Sequence, residues 1–354
     1  MMRKRLRDLG LSIGRLPTGP LNAITDVAGL LVGHETIIED EPRVVRSGVT
    51  VILPENGEIW RRHLFAGAHV LNGNGEMTGL SWLEEFGLVC GPIALTGTHS
   101  VGAVHEGLVG HELSLERPFD FSLPLVGETY DGWLSDSAAL AVRPEHVVRA
   151  LNAAAGGPVA EGSVGGGTGM NTHEFKAGIG SASRLVEVAG EHCCVGVLVQ
   201  SNYGRRPRLR LDGRPIGEVI TTEEVPAPWP EQRDGGSIIA VVATDAPLLP
   251  HQCRRLAQRV GLGVGRVGGT GAPSSGDIFL AFSTGNAHSA AEQGRLHEAQ
   301  FLPDMALDPL FEAVIEATEE SIWNALCMAE AMTGWQGRTS HAIPSERLTT
   351  LAAD

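Results

Sequence analysis

Two glycines, a serine and then an apolar β-like run form the most reactive arrangement in this chain: Asp234-Gly-Gly-Ser237 leads directly into Ile238-Ile-Ala-Val-Val-Ala243. A serine hydroxyl is a weak nucleophile and needs a base beside it. One available base is the residue's own α-amino group, whose ordinary pKa of about 7.7–8 lets it take a proton near neutrality. That amine exists only if the chain is cut between Gly236 and Ser237. Residues without Cβ can hold the strained backbone that offers the Gly236 carbonyl to the Ser237 hydroxyl, so an N-to-O acyl shift followed by ester hydrolysis would make the cut. The same string is also an ordinary turn before a strand, and local chemistry alone leaves both readings open.

Other motifs carry less. Gly263-Val-Gly-Arg-Val-Gly268 satisfies the dinucleotide-loop spacing, but it follows a helical pattern and has no acidic residue about 20 positions on. Gly165-Gly-Gly-Thr-Gly169 lacks the Lys-Ser/Thr of a phosphate loop; its glycines, Gly166 and Gly167 among them, suit a close backbone approach or the lining of a substrate pocket. There is no Gly-x-Ser-x-Gly elbow. The 13 histidines form no His-Glu-x-x-His, and the five cysteines no Cys-x-x-Cys, so reduced structural thiols are expected, with no metal. A formal charge of -15 gives no field that would attract nucleic acid. The basic groups Arg3, Lys4, Arg5, Arg7 and Arg205, Arg206, Arg208, Arg210 read as solvated surface. No apolar run approaches a membrane span and no signal-like segment follows Met1–Arg7, so the cytoplasm is expected and no membrane partner.

The elements that must position Ser237 alternate along the chain. Gly48–Leu53, Pro92–Gly97, Cys194–Gln200, Ser237–Ala243 and Asp277–Ser283 read as strands, several without polar alternation and so covered on both faces. Amphipathic helices are expected near Gly102–Leu115, Pro144–Ala154 and Leu248–Val260, with a longer one over Pro309–Met332. Gly204–Gly236, with five prolines and little apolar period, reads as a long exposed connector. Sheets with helices on both sides are the economical architecture.

Several blocks together make the chain resemble the DmpA-like family of L-aminopeptidase/D-amidase-esterases and β-aminopeptidases. They are Gly19-Pro-Leu-Asn-Ala-Ile-Thr-Asp-Val-Ala-Gly29, Gly91-Pro-Ile-Ala-Leu-Thr-Gly-Thr98, Gly157-Pro-Val-Ala-Glu-Gly162 with Gly165-Gly-Gly-Thr-Gly-Met170, Ala243-Thr-Asp-Ala-Pro-Leu248 and Ala281-Phe-Ser-Thr284. The resemblance covers most of the chain. It implies one domain over residues 1–354, an α/β four-layer αββα sandwich of N-terminal-nucleophile type with distinct connectivity, as in ornithine acetyltransferases. It also implies self-cleavage into residues 1–236 and 237–354, which stay together, and a homo-oligomer, a tetramer of cleaved heterodimers, that uses no cofactor. The substrates implied are small peptides, amides or esters with a free amine. The roles carried over are Ser237 as nucleophile, Ser275 and Asp277 in its network, Asn202 and Tyr130 at the oxyanion, and Glu128 at the substrate amine.

One departure is visible: the family's Ser-Gly-Glu reads Ser275-Gly-Asp277 here, which keeps the charge on a shorter side chain. It keeps open the alternative of an unprocessed, non-catalytic homologue. Acyl transfer like that of ornithine acetyltransferases is the other alternative, although those enzymes use threonine where this chain has serine.

Overall fold

The computed structural model describes residues 3–115, 121–229, 236–289 and 294–353. In chain order the strands are β1 (Leu31–Glu39), β2 (Val45–Leu53), β3 (Arg62–Gly73), β4 (Leu88–Val89), β5 (Ile93–Gly97), β6 (Leu125–Thr129), β7 (Asn171–Thr172), β8 (Phe175–Lys176), β9 (Ile179–Val188), β10 (Glu191–Tyr203), β11 (Gly236–Thr244), β12 (Ser275–Ser289), β13 (Met332–Thr333) and β14 (Thr339–Ser340). The helices are α1 (Leu80–Phe86), α2 (Val101–Leu113), α3 (Pro144–Asn152), α4 (Ile216–Val219), α5 (Pro250–Val267), α6 (Asp308–Met328) and α7 (Ser345–Ala353).

Strands that are apolar on both faces need cover on both faces, and two sheets provide it for each other. One sheet runs β1-β2-β5-β6, the other β4-β3-β12-β11-β10-β9. Ile52, Ile93, Leu95, Leu198, Ile239, Val241 and Leu280 fill the space between them. On the outer side of the first sheet, Val49, Val51 and Val126 pack against Val104 and Leu108 of α2 and Val147 of α3. On the outer side of the second, Val197, Ile238, Ala240 and Phe279 meet Leu256 and Val260 of α5 and Val314 and Ile322 of α6. The result is the expected αββα sandwich, with each buried aliphatic side chain contributing roughly 1.5–3 kcal/mol. All five expected strands are present, four within longer elements and the fifth one residue shorter, as Ile93–Gly97.

Three expectations need correction. The helix over 309–332 ends at Met328, and it is not simply amphipathic: nearly every residue from Glu316 to Cys327 is buried. Two of its buried carboxylates are met by an inward-reaching cation, Arg184, which bonds Glu316 at 2.9 Å and Glu320 at 2.7 Å, both inside the protein. Second, Lys4 is exposed as expected, but the arginines of the N-terminal basic group are not solvated surface. Arg7 pairs with buried Glu320 at 2.7 Å, Arg5 with buried Glu161 at 2.7 Å, and Arg3 donates to the carbonyls of Ile343 and Leu326.

Third, the stretch after Gly204 is packed where it is described. Leu209, Leu211, Ile216 and Ile220 enter the core around α4. Arg206 is buried too: its guanidinium donates to the carbonyls of His173, Glu174, Ile220, Thr221 and Val225 and stacks 3.4 Å over the Phe175 ring. A single buried cation thus satisfies the carbonyls of a segment that has no regular ladder. Residues 230–235, including Asp234 and Gly235, lie outside the described residues.

Candidate active site

Ser237 is the second residue of β11, which lies between antiparallel β10 and parallel β12. The register sets Asn202 opposite Ser237 on one side and Gly276 opposite it on the other, while Gly236 faces Tyr203 and Ser275. Gly236 has φ 119°, a region closed in practice to residues with a side chain, and a Cβ there would stand 2.0 Å from the Asn202 carbonyl oxygen. The glycine before Ser237 is therefore required twice over, by its torsion and by its neighbour.

The Ser237 side chain is 5% exposed, and its Oγ accepts the backbone N–H of Gly276 at 3.2 Å. Gly276 in turn lies against the backbone of Gly75, too close for a Cβ on either residue. A Cβ on Gly75 would also meet the Glu128 carboxylate at 3.0 Å. Through this tight crossing Glu128, on β6 of the facing sheet, reaches the neighbourhood of Ser237. Its Oε1 accepts the Glu76 N–H at 2.9 Å and its Oε2 accepts the Thr98 hydroxyl. Burial raises its pKa, and those two hydrogen bonds only partly oppose the shift.

Asn202 is held in one orientation. Its Oδ1 accepts the Asn171 N–H at 2.8 Å, which turns Nδ2 toward the Tyr130 carbonyl, 3.0 Å away. That bond uses one of the two amide hydrogens and leaves the other for a developing oxyanion. Asn171 sits in the β7–β8 hairpin, which the fully buried Lys176 braces by donating to the carbonyls of Met170 at 2.9 Å and Ala177 at 2.6 Å. Burial lowers the Lys176 pKa to about 7.

Ser275 and Asp277 form a pair: the serine hydroxyl donates to Oδ1 at 2.6 Å, and Asn72 Nδ2 donates to Oδ2 at 2.9 Å. The shorter carboxylate therefore still reaches its serine. Burial raises the Asp277 pKa against these bonds. By strand alternation Ser275 and Asp277 share the sheet face of Ile238, not that of the Ser237 side chain, so the pair flanks the Gly236–Ser237 peptide without bonding Ser237 Oγ. Tyr130 is about half exposed, and its ring folds over Gly132, where a Cβ would stand 2.2 Å from the phenol oxygen.

Gly166 and Gly167 are buried behind these groups. A Cβ on Gly166 would strike the Gln200 side chain and the Leu95 carbonyl, and one on Gly167 the Gly178 backbone. Both serve close backbone approach, and neither lines the cleft at Gly236. That cleft has a volume of about 420 Å³ and borders Tyr130, Asn202, Tyr203 and Gly236. Sequence reasoning missed its remaining walls, Trp133, Trp229, Trp335 and Arg338, together with Asn72, Thr98, Asn171 and the Gly276 N–H. Only the Gly73-Asn-Gly75 string beside Asn72 hinted at a tight backbone crossing. Among the described residues no group of three or more His, Cys, Asp or Glu side chains could hold a metal ion.

The arrangement, a serine at the head of a strand with a strained glycine before it and amide donors around it, can support acyl transfer through a tetrahedral oxyanion. Comparison with known proteins agrees. The pattern of Peptidase family S58 matches residues 22–340. The β-peptidyl aminopeptidase BapA of Sphingosinicella microcystinivorans is 46% identical over 97% of this chain and 90% of its own length. The solved β-aminopeptidase of a Burkholderia species is 47% identical with a TM-score of 0.91, covering 99% of this chain and 98% of that one. The L-aminopeptidase D-Ala-esterase/amidase of Ochrobactrum anthropi, described as a prototype for the serine aminopeptidases and a variant of the Ntn hydrolase fold, is 41% identical with a TM-score of 0.90 over 99% and 98%. The chain belongs to peptidase family S58, the DmpA and β-aminopeptidase group, and is a serine aminopeptidase/amidase with the Ntn-type αββα fold of that family.

Proposed function

We propose that the chain cuts itself between Gly236 and Ser237 and that Ser237 then attacks amides, esters or small peptides bearing a free amine, releasing the first residue through an acyl-enzyme. The observation that carries this reading is the pairing of a glycine at φ 119° with a serine whose hydroxyl already accepts a backbone N–H. Its freed α-amine is the base. Asn202 Nδ2, with Tyr130, stabilises the oxyanion; the Ser275–Asp277 pair, beside the scissile peptide, orients the new amine; and Glu128 receives the substrate's ammonium. Gly166 and Gly167 shape the floor from behind.

Residues 1–236 and 237–354 would remain together, because β11 and β12 lie between β3 and β10 of the first piece. The oligomer proposed is a tetramer of such cleaved heterodimers, and the compartment proposed is the cytoplasm. Intact mass of the purified protein tests the scheme. Wild type should give two fragments and hydrolyse aminoacyl anilides, and Ser237→Ala should give one full-length, inactive chain. A wild type that stays whole yet hydrolyses these substrates refutes the mechanism.

A further inference from the structure

The cleft at Gly236 contains a charge that the catalytic set does not use. Its walls are largely aromatic, with Tyr130, Trp133, Trp229 and Trp335, and Arg338 is the one charged side chain among its described lining residues. The guanidinium carbon lies 4.3 Å from the Trp133 ring centroid and 4.8 Å from that of Trp335. Nη1 donates to the Trp133 carbonyl at 3.3 Å and Nη2 to Gln336 Oε1 at 2.7 Å. Both acceptors are neutral, and Arg338 forms no ion pair among the described residues. Its backbone is fixed as well, since the Arg338 carbonyl accepts the Gly334 N–H at 2.9 Å within the β13–β14 turn.

A guanidinium held against two indoles, with donors to spare and no counter-charge among the described residues, is preorganised for a planar anion. An enzyme that removes the first residue of a short peptide meets such an anion at the peptide's other end. Aromatic walls suit the apolar side chain next to it.

We infer that Arg338 is the carboxylate-binding subsite of this cleft and takes the C-terminal carboxylate of a short peptide whose amine is held at Glu128. The inference rests on the aminopeptidase reading above and adds, among its substrates, a preference for peptides with a free C-terminus.

The test compares kcat/KM for alanyl-leucine, alanyl-leucinamide and aspartyl-leucinamide, in α- and β-linked forms, on self-processed wild type, Arg338→Met and Arg338→Lys. Arg338→Met should lower the ratio of free acid to amide roughly tenfold to a hundredfold, as expected for losing a hydrogen bond to a charged group, mainly through KM. Arg338→Lys should recover part of that ratio. Equal loss on all three substrates, or no change in any, overturns the subsite and leaves Arg338 as a brace for Trp133. A fall confined to aspartyl-leucinamide places the carboxylate on the acyl side chain and overturns the C-terminal assignment. A wild type that turns over none of the three defeats the aminopeptidase reading itself, and the subsite with it.

Discussion

Replacing Gly236 by alanine probes the self-cleavage geometry without touching a reacting side chain. At φ 119° an added Cβ costs about 1–3 kcal/mol in torsional strain. It would also stand 2.0 Å from the Asn202 carbonyl oxygen and 2.8 Å from Tyr203 Cα, both backbone atoms of a paired strand that have little room to yield. Relief therefore requires the head of β11 to move by about 1 Å, and a 1 Å misplacement of reacting groups costs on the order of 10²-fold in rate. The fold itself should survive, since the strain is small against a typical domain stability of about 5–15 kcal/mol. Fragment appearance followed by intact mass after rapid purification should show Gly236→Ala maturing roughly 10²-fold more slowly, with a lowered Tm but a cooperative transition. Maturation at the wild-type rate by a folded Gly236→Ala chain would refute the link between this torsion and scission.

Asn202→Ala should lower kcat by roughly 10²–10³ when activity is normalised to the cleaved fraction, with KM comparatively unchanged, because its free amide hydrogen acts on charge that develops in the transition state. Near-wild-type kcat would leave Asn202 as a brace for the Tyr130 carbonyl alone. For Glu128, burial raises the pKa, so the carboxylate that pairs with a substrate ammonium is lost as pH falls through a value above the ordinary carboxylate range. The acid side of kcat/KM should fall in two steps, the upper as the Ser237 amine is protonated near its ordinary pKa of about 7.7–8 and the lower as Glu128 is, and Glu128→Gln should remove only the lower step while raising KM for substrates with a free amine. A lower step that persists in the variant would assign it to another group.

What could be read in the sequence was what local physics writes there. Val49, Val51, Ile239 and Val241 announce strands covered on both faces, and the abrupt Gly-Gly-Ser junction singles out Ser237 as a candidate without deciding between a turn and a nucleophile. The roles proposed for the carboxylates and the amide come from family resemblance, and this chain's Asp277 holds Ser275 at 2.6 Å. Groups that act across long sequence separation left no local mark. Asn72 meets Asp277 from 205 residues away, and Arg338 meets the Trp133 carbonyl across the same separation. Arg206 and Arg7 look like surface charges because nothing in their own segments shows the carbonyls and the Glu320 carboxylate that enclose them.

The placing of β11 and β12 between β3 and β10 has a further consequence for a chain cut before Ser237. Before the cut, every strand of the second sheet belongs to one molecule and folding is unimolecular. After it, the two inner strands belong to one polypeptide and their flanking partners to another, so refolding becomes a bimolecular encounter that depends on concentration and exposes open strand edges on both pieces. Scission would then convert a reversible folder into a protein whose persistence is set by the rate at which it first opens. Its thermal inactivation should consequently be scan-rate dependent, whereas that of an uncut Ser237→Ala chain should follow equilibrium.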